Sequence, residues 1–147
     1  SSPSARTVGR VPLKNDAGPL DTAGFPLIRL TPAHVADLAA LEQICFTTPW
    51  SPAALMGSIA QPTSISIGIT DPNGRIAAYL IAQGDGEHGD ILTLAVDPSH
   101  RRLGFATRLL IEALEVLNSH GVVMCWLEVR QTTRERSIYI NGLVLIW

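Results

Sequence analysis

The segment Ile91-Leu92-Thr93-Leu94-Ala95-Val96-Asp97-Pro98-Ser99-His100-Arg101-Arg102-Leu103-Gly104-Phe105-Ala106-Thr107 constrains the fold of this 147-residue chain more than any other. An apolar run that reads as a buried strand passes through a short loop into a helix opened by glycine and flanked by arginines. The first N–H groups of a helix have no partner within it and carry the positive end of its dipole. An anion placed there meets several donors at once, and Gly104 removes the side chain that would block its approach. Read alone, the same segment is equally compatible with an ordinary strand-to-helix connection capped by glycine.

The flanking sequence supplies the rest of a layered domain. Residues 1–26 hold Pro3, Pro12, Pro19 and Pro26 without sustained periodicity and read as a flexible N-terminal arm, with the folded domain at 27–147. Leu27-Ile28-Arg29-Leu30 reads as a short strand, and Thr31-Pro32 opens a helix on which Val35, Leu38, Leu41 and Cys45 recur at helical spacing. Thr48-Pro49-Trp50 stops that helix, and Ser51-Pro52 caps a second one ending near Ala60. Ile65, Ile67 and Ile69 alternate as a half-buried strand does, and Asp71-Pro72-Asn73-Gly74 turns the chain into a hairpin partner over 75–83. The run from Gly84 to Gly89 reads as a flexible loop before the central strand. A helix from Gly104 to His120, closed by Gly121, leads to a further strand over 122–129. Strand, helix and strand in that order make a crossover between parallel neighbours, so the expected class is α/β or α+β, layered.

Composition excludes several classes. With 46% hydrophobic residues the chain has ample material for one core, and its formal charge of −2 creates no global field for nucleic acid or an anionic membrane. No apolar run approaches the roughly 18 residues of a membrane span, and the N-terminus lacks a signal pattern, so the expectation is a soluble cytoplasmic protein. Cys45 and Cys125, each in an apolar segment, read as buried reduced thiols. His34, His88, His100 and His120 lack metal-ligand spacing, and no metal site is expected. No Gly-Lys-Ser/Thr follows the glycine, which argues against a nucleoside-triphosphate site.

Arg101-Arg102-Leu103-Gly104-Phe105-Ala106 resembles the Gln/Arg-x-x-Gly-x-Gly/Ala signature of the GNAT superfamily of acyl-CoA-dependent N-acetyltransferases. With Thr48-Pro49-Trp50-Ser51, Ala95-Val96-Asp97-Pro98 and Trp126-Leu127-Glu128-Val129-Arg130, the resemblance narrows to bacterial ribosomal-protein-alanine N-acetyltransferases, over residues 27–139. It implies a mixed, mostly antiparallel sheet with a parallel splayed pair at the cofactor site and helices on both faces. It also implies transfer of an acetyl group from acetyl-CoA to the N-terminal α-amine of a protein, a ribosomal protein in that branch, by direct attack within a ternary complex. The alternatives are a small-molecule amine or lysine acceptor, or a coenzyme-A-binding protein with little turnover.

Site residues follow from the same resemblance. The pyrophosphate falls to Arg102, Leu103, Gly104, Phe105, Ala106 and Thr107, and the pantetheine arm to Leu94, Ala95 and Val96. Thr133 stands where the family carries Asn and joins the cofactor set. Glu128 matches the general base; read from the residues alone, it is a carboxylate in an apolar strand better explained by pairing with Arg130 or another arginine, and the resemblance reverses that order. Tyr139 matches the general acid on a C-terminal helix, although it comes one residue early relative to the family pattern, and the alternative is a phenol packed on the core. The expected C-terminus is shortened or altered, and Val144-Leu145-Ile146-Trp147 would be an adhesive edge unless paired, which suggests a homodimer through that edge.

Overall fold

The computed structural model describes residues 6–7, 24–101, 103–127, 137–140 and 143–146. Five strands form the main sheet in the order β2 (Leu27–Arg29), β3 (Ser64–Thr70), β4 (Ile76–Asp85), β5 (His88–Val96) and β6 (Met124–Leu127). Neighbours run antiparallel except β5 and β6, which are parallel over His88↔Met124 to Ile91↔Leu127. Helices α1 (Val35–Cys45) and α2 (Pro52–Ala60) cover one face, and α3 (Phe105–Ser119) covers the other.

Alternation along β4 and β5 sorts their side chains between two cores, as a pleated strand requires. Ala78, Leu80 and Leu94 pack with Leu109, Ala113 and Leu117 of α3. Tyr79, Ile81 and Ala95 pack with Leu38 and Leu41 of α1 and Leu55 of α2. This two-sided burial explains the near-continuous apolar run predicted for the central strand. The predicted capping of α2 is also present: Ser51 Oγ accepts from Ala54 N–H at 3.1 Å, with Pro52 in the first turn. Asp71 Oδ1 closes the predicted β3–β4 turn by accepting from the N–H groups of Asn73 (2.8 Å) and Arg75 (2.9 Å).

Three expectations need correction. The Gly84–Gly89 segment is no loose loop: β4 continues to Asp85, β5 starts at His88, and Asp85 pairs directly with His88 across a two-residue turn. Gly84 and Gly89 serve close packing, since a Cβ on Gly84 would lie 2.7 Å from Leu117 Cδ2 and one on Gly89 3.1 Å from Val122 Cγ1. The predicted boundary at residue 27 is also late. Pro26 C=O accepts from Thr70 N–H at 3.1 Å, and Phe25 packs its ring against Phe105 and His100 with centroids 5.2 and 5.6 Å away. Arg6–Thr7 (β1), within the predicted arm, is a strand. The rest of residues 1–23 lies outside the described residues.

The third correction concerns the C-terminal region. Instead of a helix carrying Tyr139, the chain forms β7 (Ser137–Ile140) and β8 (Leu143–Ile146), paired antiparallel with Tyr139 opposite Val144. The physical reason is local: Ile138, Tyr139 and Ile140 favour a pleated surface, and the intervening Asn141-Gly142 is a residue pair that two-residue hairpins select. Strand β8 lies between β1 and β7, so both its edges are paired within the chain. Among the described residues, the Val144–Ile146 edge that motivated a homodimer is therefore already paired.

Candidate active site

The candidate site lies where β5 ends and α3 begins. Leu94, Ala95 and Val96 pair with Leu80, Tyr79 and Ala78 of β4 on one edge. On the other edge the β6 ladder reaches only Ile91↔Leu127 among the described residues. An extra residue, Leu92, lies between the pairs Ala82↔Ile91 and Ile81↔Thr93. Such a bulge sharpens local twist where the strand approaches the site.

Asp97 then turns the chain. Its N–H donates to Ala77 C=O at 2.8 Å, and its Oδ1 accepts from Ser99 N–H (2.9 Å) and Ser99 Oγ (2.7 Å). Arg101 folds back, its Nε donating to Val96 C=O at 3.3 Å and its Nη2 to Cys45 Sγ at 3.6 Å. Gly104 is the N-cap of α3, with φ 80° and ψ 13°. In this left-handed region a Cβ is penalised, which gives a physical reason for glycine here. Phe105 is buried and anchors the helix start, whereas Ala106 and Thr107 are half-buried and Leu103 is exposed. The first turn of α3 thus carries the small residues Ala106 and Thr107 beside Gly104, a short loop beyond the end of β5. That arrangement fits a diphosphate.

Among the residues named from sequence, the structure brings together Leu94, Ala95, Val96, Leu103, Gly104, Phe105, Ala106 and Thr107 along one strand-to-helix passage. Arg102, Glu128 and Thr133 lie outside the described residues. Tyr139 lies on β7. Cys45 and Cys125 are both buried and neither is in a disulfide. No described helix is long and apolar enough to cross a membrane.

Burial pushes the Cys45 thiol above its ordinary value near 9.0, with the Arg101 guanidinium partly opposing the rise. The fold therefore favours the neutral thiol. Its stabilising contribution is fully present below the unfolded value and is lost as pH climbs through the higher folded one. We expect the stability advantage of the wild type over Cys45→Ala to shrink as pH rises above about 9, measured by urea denaturation. An advantage that grows over this range would contradict the assignment.

Sequence reasoning missed Glu42, which is wholly buried on α1. Its Oε1 accepts from Trp50 N–H at 2.8 Å, and its Oε2 accepts from Thr93 Oγ1 at 2.6 Å and from the Tyr79 hydroxyl. A signal existed: Glu42 lies four residues after Leu38 and three before Cys45, on the apolar stripe of the helix.

Residues 35–139, well over half of the chain, match the family model described as Acetyltransferase (GNAT) family. The chain belongs to the GNAT acetyltransferase family. It is 32% identical over 90 residues to the [Ribosomal protein bS18]-alanine N-acetyltransferase of Salmonella typhimurium, covering 61% of this chain and 60% of that relative. It therefore spans about three fifths of the length of that GNAT relative. The catalytic subunit ard1 of the N-terminal acetyltransferase A complex of Schizosaccharomyces pombe is 32% identical over 77 residues, covering 48% of this chain and 44% of that protein. The crystal structure of the ribosomal-protein-S18-alanine N-acetyltransferase from Escherichia coli superposes with a TM-score of 0.66 at 27% identity, covering 72% of this chain and 67% of that one. The mixed sheet with helices on both faces is thus a GNAT fold.

Proposed function

We propose that this chain is an acetyl-CoA-dependent N-acetyltransferase whose acceptor is the N-terminal α-amine of a protein, a ribosomal protein in the first instance. The observation that carries this reading is the short passage from the end of β5, through a 3-10 turn at Pro98–His100 and Gly104 at φ 80°, into α3. Amides suited to a diphosphate thereby adjoin a strand end suited to an extended acyl carrier. The names of the relatives above support the choice of acceptor.

In the proposed reaction the neutral amine attacks the thioester carbonyl, a C–N bond forms, the C–S bond breaks, the new amide nitrogen loses a proton and the departing thiolate takes one up. Backbone N–H groups of β5 polarise the carbonyl. Glu128 removes the proton from the substrate ammonium, and Tyr139, carried on β7, is the proton donor assigned to the leaving thiolate. Leu94, Ala95 and Val96 hold the pantetheine arm, while Arg102, Leu103, Gly104, Phe105, Ala106, Thr107 and Thr133 form the rest of the cofactor set.

Tyr139 on a strand rather than a helix favours one second reading, a coenzyme-A-binding protein with little turnover. Incubation with acetyl-CoA and an alanine-started peptide, followed by mass spectrometry, separates the two. The proposal expects one acetyl group on the peptide α-amine. Coenzyme A binding without peptide acetylation would establish the second reading, and acetylation only of lysine or small amines would replace the acceptor.

A further inference from the structure

We infer that Glu42 is a positioning residue for the acceptor side of the site, fixing the turn between α1 and α2 against the strand that holds the acyl donor. The inference rests on the acetyltransferase reading above. A carboxyl group removed from water is among the costliest groups a core can hold, unless donors replace the lost hydration. Glu42 meets such donors on three different elements. Oε2 takes the hydroxyls of Tyr79 on β4 and Thr93 on β5, while Oε1 takes the backbone N–H of Trp50 in the turn. One side chain therefore couples α1, the turn and two central strands.

The division of labour between the two oxygens indicates position rather than simple cohesion. An apolar residue of similar volume would also pack α1 on the sheet, but it would offer Trp50 N–H no acceptor. Thr93 directly precedes Leu94, Ala95 and Val96, so the anchor engages the sheet where the acyl arm is proposed to lie. One turn further along α1, the Cys45 thiol donates to Val96 C=O at 3.4 Å, which brings the end of this helix to the end of the same strand. The turn that follows exposes Thr47, Thr48 and Pro49 beside it. An incoming amine approaching the thioester from this side meets that wall. Glu42 itself is buried with both oxygens engaged, so it acts through the turn and not on the substrate.

The test compares wild type, Glu42→Leu and Glu42→Gln in steady-state acetylation of an alanine-started peptide, with coenzyme A affinity measured separately by calorimetry. Glu42→Leu is expected to raise the peptide KM about tenfold while the coenzyme A Kd stays within about twofold, because only the acceptor wall moves. Glu42→Gln retains an oxygen for Trp50 N–H and should bring the peptide KM back to within about threefold of wild type. An unchanged peptide KM in Glu42→Leu overturns the inference, as does a joint loss of both affinities that Glu42→Gln does not rescue. Amide hydrogen exchange of the wild type provides a check needing no variant: Trp50 N–H should exchange as slowly as the core strands, and exchange at the rate of an open turn overturns the anchor. A wild type that protects Trp50 but never acetylates the peptide overturns the N-terminal-amine reading instead, and the acceptor role with it.

Discussion

Gly104→Glu is expected to weaken coenzyme A binding at least about a hundredfold in an isothermal titration, a loss near 2.7 kcal/mol. Two effects act in the same direction. The N-cap of α3 has φ 80°, where a side chain costs on the order of 1–2 kcal/mol of backbone strain. The new carboxylate would also occupy the positive end of the helix dipole, competing with the diphosphate for the same first-turn amides. Gly104→Ala separates these contributions, since it brings the strain without the charge and should weaken binding by no more than about tenfold. If the glutamate variant binds coenzyme A as well as wild type, α3 does not hold the diphosphate.

Glu128→Gln is expected to lower kcat for the alanine-started peptide by roughly 10²–10⁴, the usual contribution of a positioned general base, with coenzyme A affinity unchanged. The deficit should narrow as pH rises above about 8, because a free α-amine deprotonates in solvent near that value and then needs no base. The competing account of Glu128, an ion pair with a neighbouring arginine, has a different signature. It would reduce stability and leave kcat nearly intact. A rate profile over pH 6–10, recorded beside a urea melt, therefore decides between them.

Much of the fold can be read from residues whose preferences are local. The Asp71–Gly74 turn and the Ser51-Pro52 helix start declare themselves within a few positions, and the structure places both as expected. Alternation at Ile67 and Ile69 marked the strand β3 but suggested a half-buried one, whereas Ser66 and Thr70 are buried too. The passage from β5 to α3 is legible for the same reason, since one apolar run and one glycine suffice to mark it. Local signals can also mislead when only part of them is used. The family pattern pointed to a helix around Tyr139, whereas Ile138, Ile140 and the Asn141-Gly142 pair favoured a hairpin, and a hairpin formed there. Gly84 and Gly89 likewise suggested freedom, but their partners Leu117 and Val122 are more than 25 positions away in the chain, so the close packing that requires glycine was invisible.

The amino-acid sequence by itself determined the order of elements, the two-faced central strand and the glycine-opened helix, because hydrophobic period and backbone preference act over one or two turns. Only the tertiary structure decided that Glu42 shares its oxygens among Trp50, Tyr79 and Thr93, and that Phe25 closes over the start of α3. A buried carboxyl group is stable only when donors from distant segments converge on it, and that convergence is a property of packing in three dimensions.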